Sequence, residues 1–288
     1  MKYIFTIATN IYIEYFENFK NSINNFYTNE DKTLIVFSNK LQEYNNCQEG
    51  KTKIKIISIP NLLYTSILLN KFNFIEWYCE NNNIKENEII YYFDIDTLFY
   101  NNELGQEYLQ NIINENKDKV IFSEHPISLI NKNLNSYIFC HGYLQNFGDN
   151  NTPQSKVLND YSYTTPIYLL NYDIITSFFA GTLQSIKTLN IKYTEIYKDI
   201  MHNDKVVSNY YDEDICNYIL LKELRNEYDV EYIYKNTNEF NLININSIDL
   251  NNIMQCCFLG QTFNINNEHS KYLICNQKYN VNRKQITK

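Results

Sequence analysis

The sequence predicts an α/β fold, a largely parallel sheet flanked by helices in a single domain. Three observations lead there. Short apolar runs alternate with segments of helical periodicity along most of the 288 residues. The run IIYYF at 89–93 is apolar at consecutive positions, as a strand covered by helices on both faces must be. No linker rich in glycine or proline and no internal repeat divides the chain, and its length suffices for one large core.

The elements follow in order. Residues 2–8 are the first expected strand, and Thr9-Asn10 turns the chain into an expected helix over 12–26. Along that helix Tyr12, Tyr15, Phe16, Phe19, Ile23 and Phe26 recur at helical spacing. This strand–turn–helix opening lacks a glycine fingerprint, which argues against a dinucleotide site. Strands are expected at 33–38 and 53–58, then a helix over 67–80 through Leu68, Phe72, Ile75 and Cys79, then the strand at 89–93. A helix over 103–114 and a strand over 120–123 come next. Residues 132–166 are polar and punctuated by Gly142, Gly148, Pro153 and Pro166, a long loop of the kind that carries function in a compact domain. Residues 167–182 return to apolar character, and 183–204 read as a long helix. Another helix, 212–224, opens on Asp212-Glu213-Asp214, where acidic groups suit the positive end of the macrodipole. A strand at 230–234 and a polar tail with Lys278, Arg283, Lys284 and Lys288 complete the chain.

Composition excludes some function classes. The formal charge is -8 and no basic run exceeds Arg283-Lys284, which argues against a nucleic-acid partner. The seven cysteines are odd in number and form no C-x-x-C pair, so neither a zinc site nor a disulfide framework is indicated. No segment reaches the roughly 20 apolar residues of a transmembrane span, and the N-terminus does not read as a signal peptide. A soluble, cytoplasmic protein with reduced thiols is expected.

The chemistry starts at Asp94 and Asp96, at the carboxyl end of the 89–93 strand, where open α/β sheets place their ligand sites. In an extended chain residues i and i+2 point the same way, so both carboxylates would meet one target. A hard divalent cation on a diphosphate is the natural candidate. Aspartates capping a strand-end turn are the competing explanation. The Asp212–Asp214 cluster has its own alternative as a helix cap, and His125 as a structural histidine. The residues alone leave these open.

Read in order, the motifs resemble glycosyltransferase family 6, which includes the blood-group A/B transferases and α1,3-galactosyltransferases. Over about 4–234, Ile7-Ala8-Thr9-Asn10-Ile11-Tyr12 is similar to the family's opening strand and turn, and Phe93-Asp94-Ile95-Asp96 to its metal-binding V-D-V-D. Lys71 stands where the family carries an arginine facing the donor, keeping the charge without the planar fork. Glu124-His125-Pro126 resembles its H-P turn, Phe178-Phe179-Ala180-Gly181-Thr182 its F-F-G-G-S, and Tyr210-Tyr211-Asp212-Glu213-Asp214 its W-H-D-E-S.

The resemblance implies a GT-A-type nucleotide-diphospho-sugar transferase domain of the soluble microbial or viral type, with a mixed, mostly parallel sheet flanked by helices. Residues 1–126 would be its nucleotide- and metal-binding half, and 127–288 its acceptor and catalytic half with a C-terminal tail. It implies retaining transfer of galactose or N-acetylgalactosamine from UDP-galactose or UDP-N-acetylgalactosamine to a glycan acceptor in α1,3 linkage. Ile7, Ala8 and Tyr12 would hold the uracil, Asp94 and Asp96 would hold Mn²⁺ or Mg²⁺, and Lys71 would face the donor. Ile175, Thr176 and Ser177 fall where side-chain size sets donor choice. Asp212 would hold donor and acceptor hydroxyls, His125 and Tyr210 would contact the acceptor, and Glu213 would be the catalytic carboxylate. The basic tail would close over the diphosphate or be an ordinary charged terminus. Alternatives are a GT-A transferase with another donor or inverting chemistry, a catalytically silent sugar-binding scaffold, and a metal-dependent phosphohydrolase.

Overall fold

The structure, a computed structural model, describes residues 1–62, 64–99, 101, 103–124, 174–203, 212, 215–216, 257–258, 261–262 and 274–276. Its centre is a seven-stranded sheet. The first eight strands in chain order, all but β6 in this sheet, are β1 (Lys2–Ile7), β2 (Lys32–Ser38), β3 (Gln48–Glu49), β4 (Thr52–Ser58), β5 (Ile89–Phe93), β6 (Thr97–Phe99), β7 (Ile121–Glu124) and β8 (Ile174–Thr182). In the sheet their order is β3-β4-β2-β1-β5-β8-β7. β4, β2, β1 and β5 pair in parallel, whereas β8 runs antiparallel to both β5 and β7. Only β3 and β8 therefore oppose the common direction, and the sheet is mixed and mostly parallel.

Alternation along the strands divides the core into two layers. Phe5, Ile35, Phe37, Ile90, Tyr92, Phe122 and Phe179 face one layer. Their neighbours Ile4, Leu34, Val36, Tyr91, Phe93, Ile121, Phe178 and Ala180 face the other, as a period of two requires. Helices α2 (Tyr64–Leu69), α3 (Lys71–Asn81) and α5 (Leu183–Asn203) cover the first layer, through Ile67, Phe72, Ile75, Ile186 and Tyr193. Helices α1 (Phe16–Ser22) and α4 (Glu103–Glu115) cover the second, through Phe16, Phe19, Leu109, Ile112 and Ile113. α5 is held to α3 by Asn190, whose amide donates to Asn73 and Glu76, and by Lys187 paired with Glu80. The many aromatic residues do packing work: Phe26 meets Tyr27, Tyr91 and Phe93 edge-on, with centroids 4.5–5.5 Å apart. Such pairs contribute about 0.5–1.5 kcal/mol each beyond area burial.

Several elements differ from expectation for local reasons. The helix expected over 12–26 is a 3-10 segment (Asn10–Tyr15), then α1, then a second 3-10 turn (Ile23–Asn25). Its aromatic and Asn-rich composition is a weak helix former, and Thr9 makes no side-chain cap bond at its start. The helix expected over 67–80 is two helices broken at Asn70. There the Asn70 amide donates to the Ser66 carbonyl at 2.8 Å, and the backbone leaves helical angles at φ -100° and ψ 9°. Short strands β3, β6, β9 (Cys257–Phe258), β10 (Gln261–Thr262) and β11 (Ile274–Asn276) were not expected; two or three residues carry no readable period. Of the helix expected over 212–224, Asp212, Ile215 and Cys216 are helical. The loop 132–166, the strand 230–234 and the charges of the basic tail lie outside the described residues. No helix among the described residues is long and apolar enough to cross a membrane.

Gly181 packs closely against Ser185 of α5 and the backbone that leads into β7. A Cβ there would lie 2.7 Å from Ser185 Oγ and 2.9 Å from the Lys119 carbonyl, and the latter is backbone that cannot swing aside. Gly181→Ala is expected to lower stability by about 1–3 kcal/mol, an overpacking cost, read as a lower urea midpoint. An unchanged midpoint would mean that the β7–β8 region yields more easily than its packing implies.

Candidate functional site

β1 and β5 lie side by side, with β2 and β4 on one flank and β8 and β7 on the other. Connections depart in opposite directions from such a pair, which opens a crevice at the carboxyl ends of the strands. A cleft lies there. Ile7 and Thr9 at the end of β1 form one wall with Tyr12. Ile67 and Leu68 of α2 form a second, and Tyr92, Asp94, Ile95 and Asp96 a third. The turn that brings Tyr12 round passes through Asn10 at φ 54°, a left-handed conformation that asparagine tolerates better than most side chains.

Asp94 and Asp96 reach the cleft by a route other than the expected extended chain. The Thr97 N–H donates to the Asp94 carbonyl at 3.1 Å, so a tight turn closes over both aspartates. The Asp94 N–H donates to the Ser177 carbonyl of β8 at 2.8 Å and pins the start of this turn. The Asp94 side chain is about one-third exposed, while Asp96 is almost wholly buried.

Behind Asp94 sits Lys71, fully buried at the first position of α3. A cation at a helix N-terminus is opposed by the macrodipole, so it must be held by other groups. Lys71 Nζ lies 2.6 Å from Asp212 Oδ2 and 3.7 Å from Asp94 Oδ1, and donates to the Thr176 carbonyl at 2.9 Å. It also lies 4.5 Å from the centre of the Tyr92 ring. Burial by itself would push the lysine down, but Asp212 and Asp94 together outweigh it, and the ammonium is held above its ordinary value. Lys71 is a cation at neutral pH.

The structure therefore gathers Ile7, Tyr12, Asp94 and Asp96 around one cleft and sets Lys71 and Asp212 against Asp94. Ala8 does not line this cleft. Its N–H donates to Phe37 and its carbonyl accepts from Ser38 Oγ, so both backbone groups serve the fold. Ser177 is buried in β8, and its hydroxyl has no hydrogen-bond partner among the described residues. Ile175 lies in the same strand, in register with Ser123. His125, Tyr210 and Glu213 lie outside the described residues. Sequence reasoning missed Thr9, Ile67, Leu68, Tyr92 and Ile95 as lining residues. Tyr92 had a signal, since it precedes Asp94 by two positions at a strand end. Comparison with protein-family models and with curated proteins returns no match to this chain.

Breaking the buried pair from one side tests its weight. Lys71→Met leaves the nearly buried Asp212 uncompensated and is expected to cost about 3–5 kcal/mol in urea unfolding. Adding Asp212→Asn to that variant should restore part of the loss, because the orphaned charge is gone. A double variant as unstable as the sum of the singles would show that the two groups are not energetically coupled.

Proposed function

We propose that this chain is a retaining glycosyltransferase of the GT-A type, akin to glycosyltransferase family 6. It would move galactose or N-acetylgalactosamine from a UDP-sugar to a glycan acceptor in α1,3 linkage. The observation that carries the proposal is the cleft between the carboxyl ends of β1 and β5. There Ile7 and Tyr12, expected at the uracil, stand with Asp94 and Asp96, expected at the diphosphate. An apolar edge and an aromatic ring suit a flat base, and paired carboxylates suit the cation that accompanies a diphosphate.

The donor set fits a hard divalent ion, Mn²⁺ or Mg²⁺. Among the described residues no third histidine, cysteine or acidic group joins the two aspartates in a metal-holding cluster. Such ions commonly take one or two carboxylates and complete their shell with substrate phosphate and water. When bound, the ion would neutralise charge on the departing diphosphate. The chain's own groups do the rest. Lys71 anchors Asp94 and Asp212 from behind, so it acts on the donor through those carboxylates rather than as a planar clamp. Asp212 would receive sugar hydroxyls. Glu213, next in the chain, would act on the β face of the donor sugar, as nucleophile or as electrostatic stabiliser of positive charge. Ile175 and Ser177 would set donor choice by size, and His125 and Tyr210 would contact the acceptor.

The test is UDP release in Mn²⁺ from UDP-galactose, UDP-N-acetylgalactosamine and UDP-glucose, with no acceptor added. Slow release from one of the first two is expected, lost in chelator and reduced on the order of 100-fold in Glu213→Ala. Metal-dependent UDP binding without release from any donor, also when glycan acceptors are supplied, would favour the silent scaffold. Absence of UDP binding would end the transferase proposal.

A further inference from the structure

Tyr92 carries a hydroxyl that packing does not require. Its ring is buried and stacks on Phe179, with centroids 4.9 Å apart and planes 9° from parallel. Phenylalanine would satisfy that stack equally well, and a buried hydroxyl is costly unless it is bonded. The hydroxyl donates to Asp94 Oδ1 at 2.9 Å, the same oxygen that lies 3.7 Å from Lys71 Nζ. With its ring fixed against Phe179 and beneath the Lys71 ammonium, the phenol has little freedom to follow Asp94 if the carboxylate turns. Direction therefore passes from tyrosine to aspartate.

We infer that Tyr92 is a positioning residue that holds Asp94 in the orientation in which this carboxylate meets a divalent cation in the cleft. The inference rests on the metal role proposed for Asp94 above and adds what prepares that role. A partner that orients a metal-binding carboxylate typically contributes 10–100-fold to metal affinity, because the oxygen need not be ordered when the ion arrives.

Mn²⁺ affinity is measured on the full chain by the loss of the free-ion electron paramagnetic resonance signal, at saturating UDP, with thermal melting alongside. Wild type is expected to bind, Asp96→Asn to lose binding, and Tyr92→Phe to bind about 10-fold more weakly. In Asp94→Glu, whose longer side chain leaves the hydroxyl's reach, affinity should fall similarly, and adding Tyr92→Phe should cost little more. An unchanged affinity in Tyr92→Phe, with or without a lower melting temperature, overturns the inference and leaves the metal site standing. Additive losses in the double variant overturn it as well, since the tyrosine would then not act through Asp94. Should Tyr92→Phe fail to fold, Asp94→Glu decides: full affinity there removes any need for a held orientation. Wild type that takes up no Mn²⁺, or binds it equally after Asp96→Asn, brings down the transferase proposal itself.

Discussion

The ammonium of Lys71 is the contact on which the site depends. Removing a cation from water costs several kcal/mol in a protein interior, and a helix N-terminus adds repulsion. Only well-placed oxygens repay this, and the three that do come from distant parts of the chain. They belong to Asp94 beyond β5, Thr176 in β8 and Asp212 in a later helical turn. One buried charge thus fixes the relative position of segments that no local propensity could bring together. The interaction is a weak source of net stability and a strong source of geometry, because any rearrangement that separates the charges leaves one of them stranded.

Packing carries that geometry to the cleft. Phe72 follows Lys71 on α3 and lies 4.8 Å from Phe179, which stacks on Tyr92, which in turn bonds Asp94. The same layer takes in Ile215 and Cys216, close neighbours of Asp212. Aromatic rings in contact have few ways to shift, so the line from α3 through β8 to β5 behaves as a stiff support. The opposite layer, with Phe26, Tyr91 and Phe93, meets the cleft through Ile95 and through Tyr12 packed against it.

The strands β1, β2, β4 and β5 were legible within a residue or two: β1, β2 and β5 are largely apolar runs buried on both faces, whereas β4 alternates, with Thr52, Ile54 and Ile56 inward and its lysines outward. The mixed character of the sheet was legible only through resemblance, since the antiparallel run of β8 depends on long-range pairing that no local pattern encodes. At the site, Asp94 and Asp96 were found for a partly mistaken reason: a turn, and not strand alternation, turns both into the cleft. Lys71 was expected to face the donor; its ammonium is buried against Asp94 and Asp212, a depth that rests on long-range partners and not on any local pattern. Ala8 shows the same limit. It was expected at the uracil, and its N–H and carbonyl are engaged by Phe37 and Ser38 of β2.

Charge explains why such a cleft would handle a nucleotide diphosphate only together with a cation. Asp94, Asp96 and Asp212 set three formal negative charges against the ammonium of Lys71, and Lys71 is already committed to two of them. A diphosphate arriving alone would meet repulsion from these carboxylates, strongest at the buried Asp96 and weaker at Asp94, which water partly screens. On the proposed reading, a divalent ion held by Asp94 and Asp96 would reverse the sign of that encounter and leave Lys71 with its carboxylates. On this view the lysine and the metal divide the work. The fixed cation balances the carboxylates that stay in place, and the exchangeable one would balance the ligand that leaves.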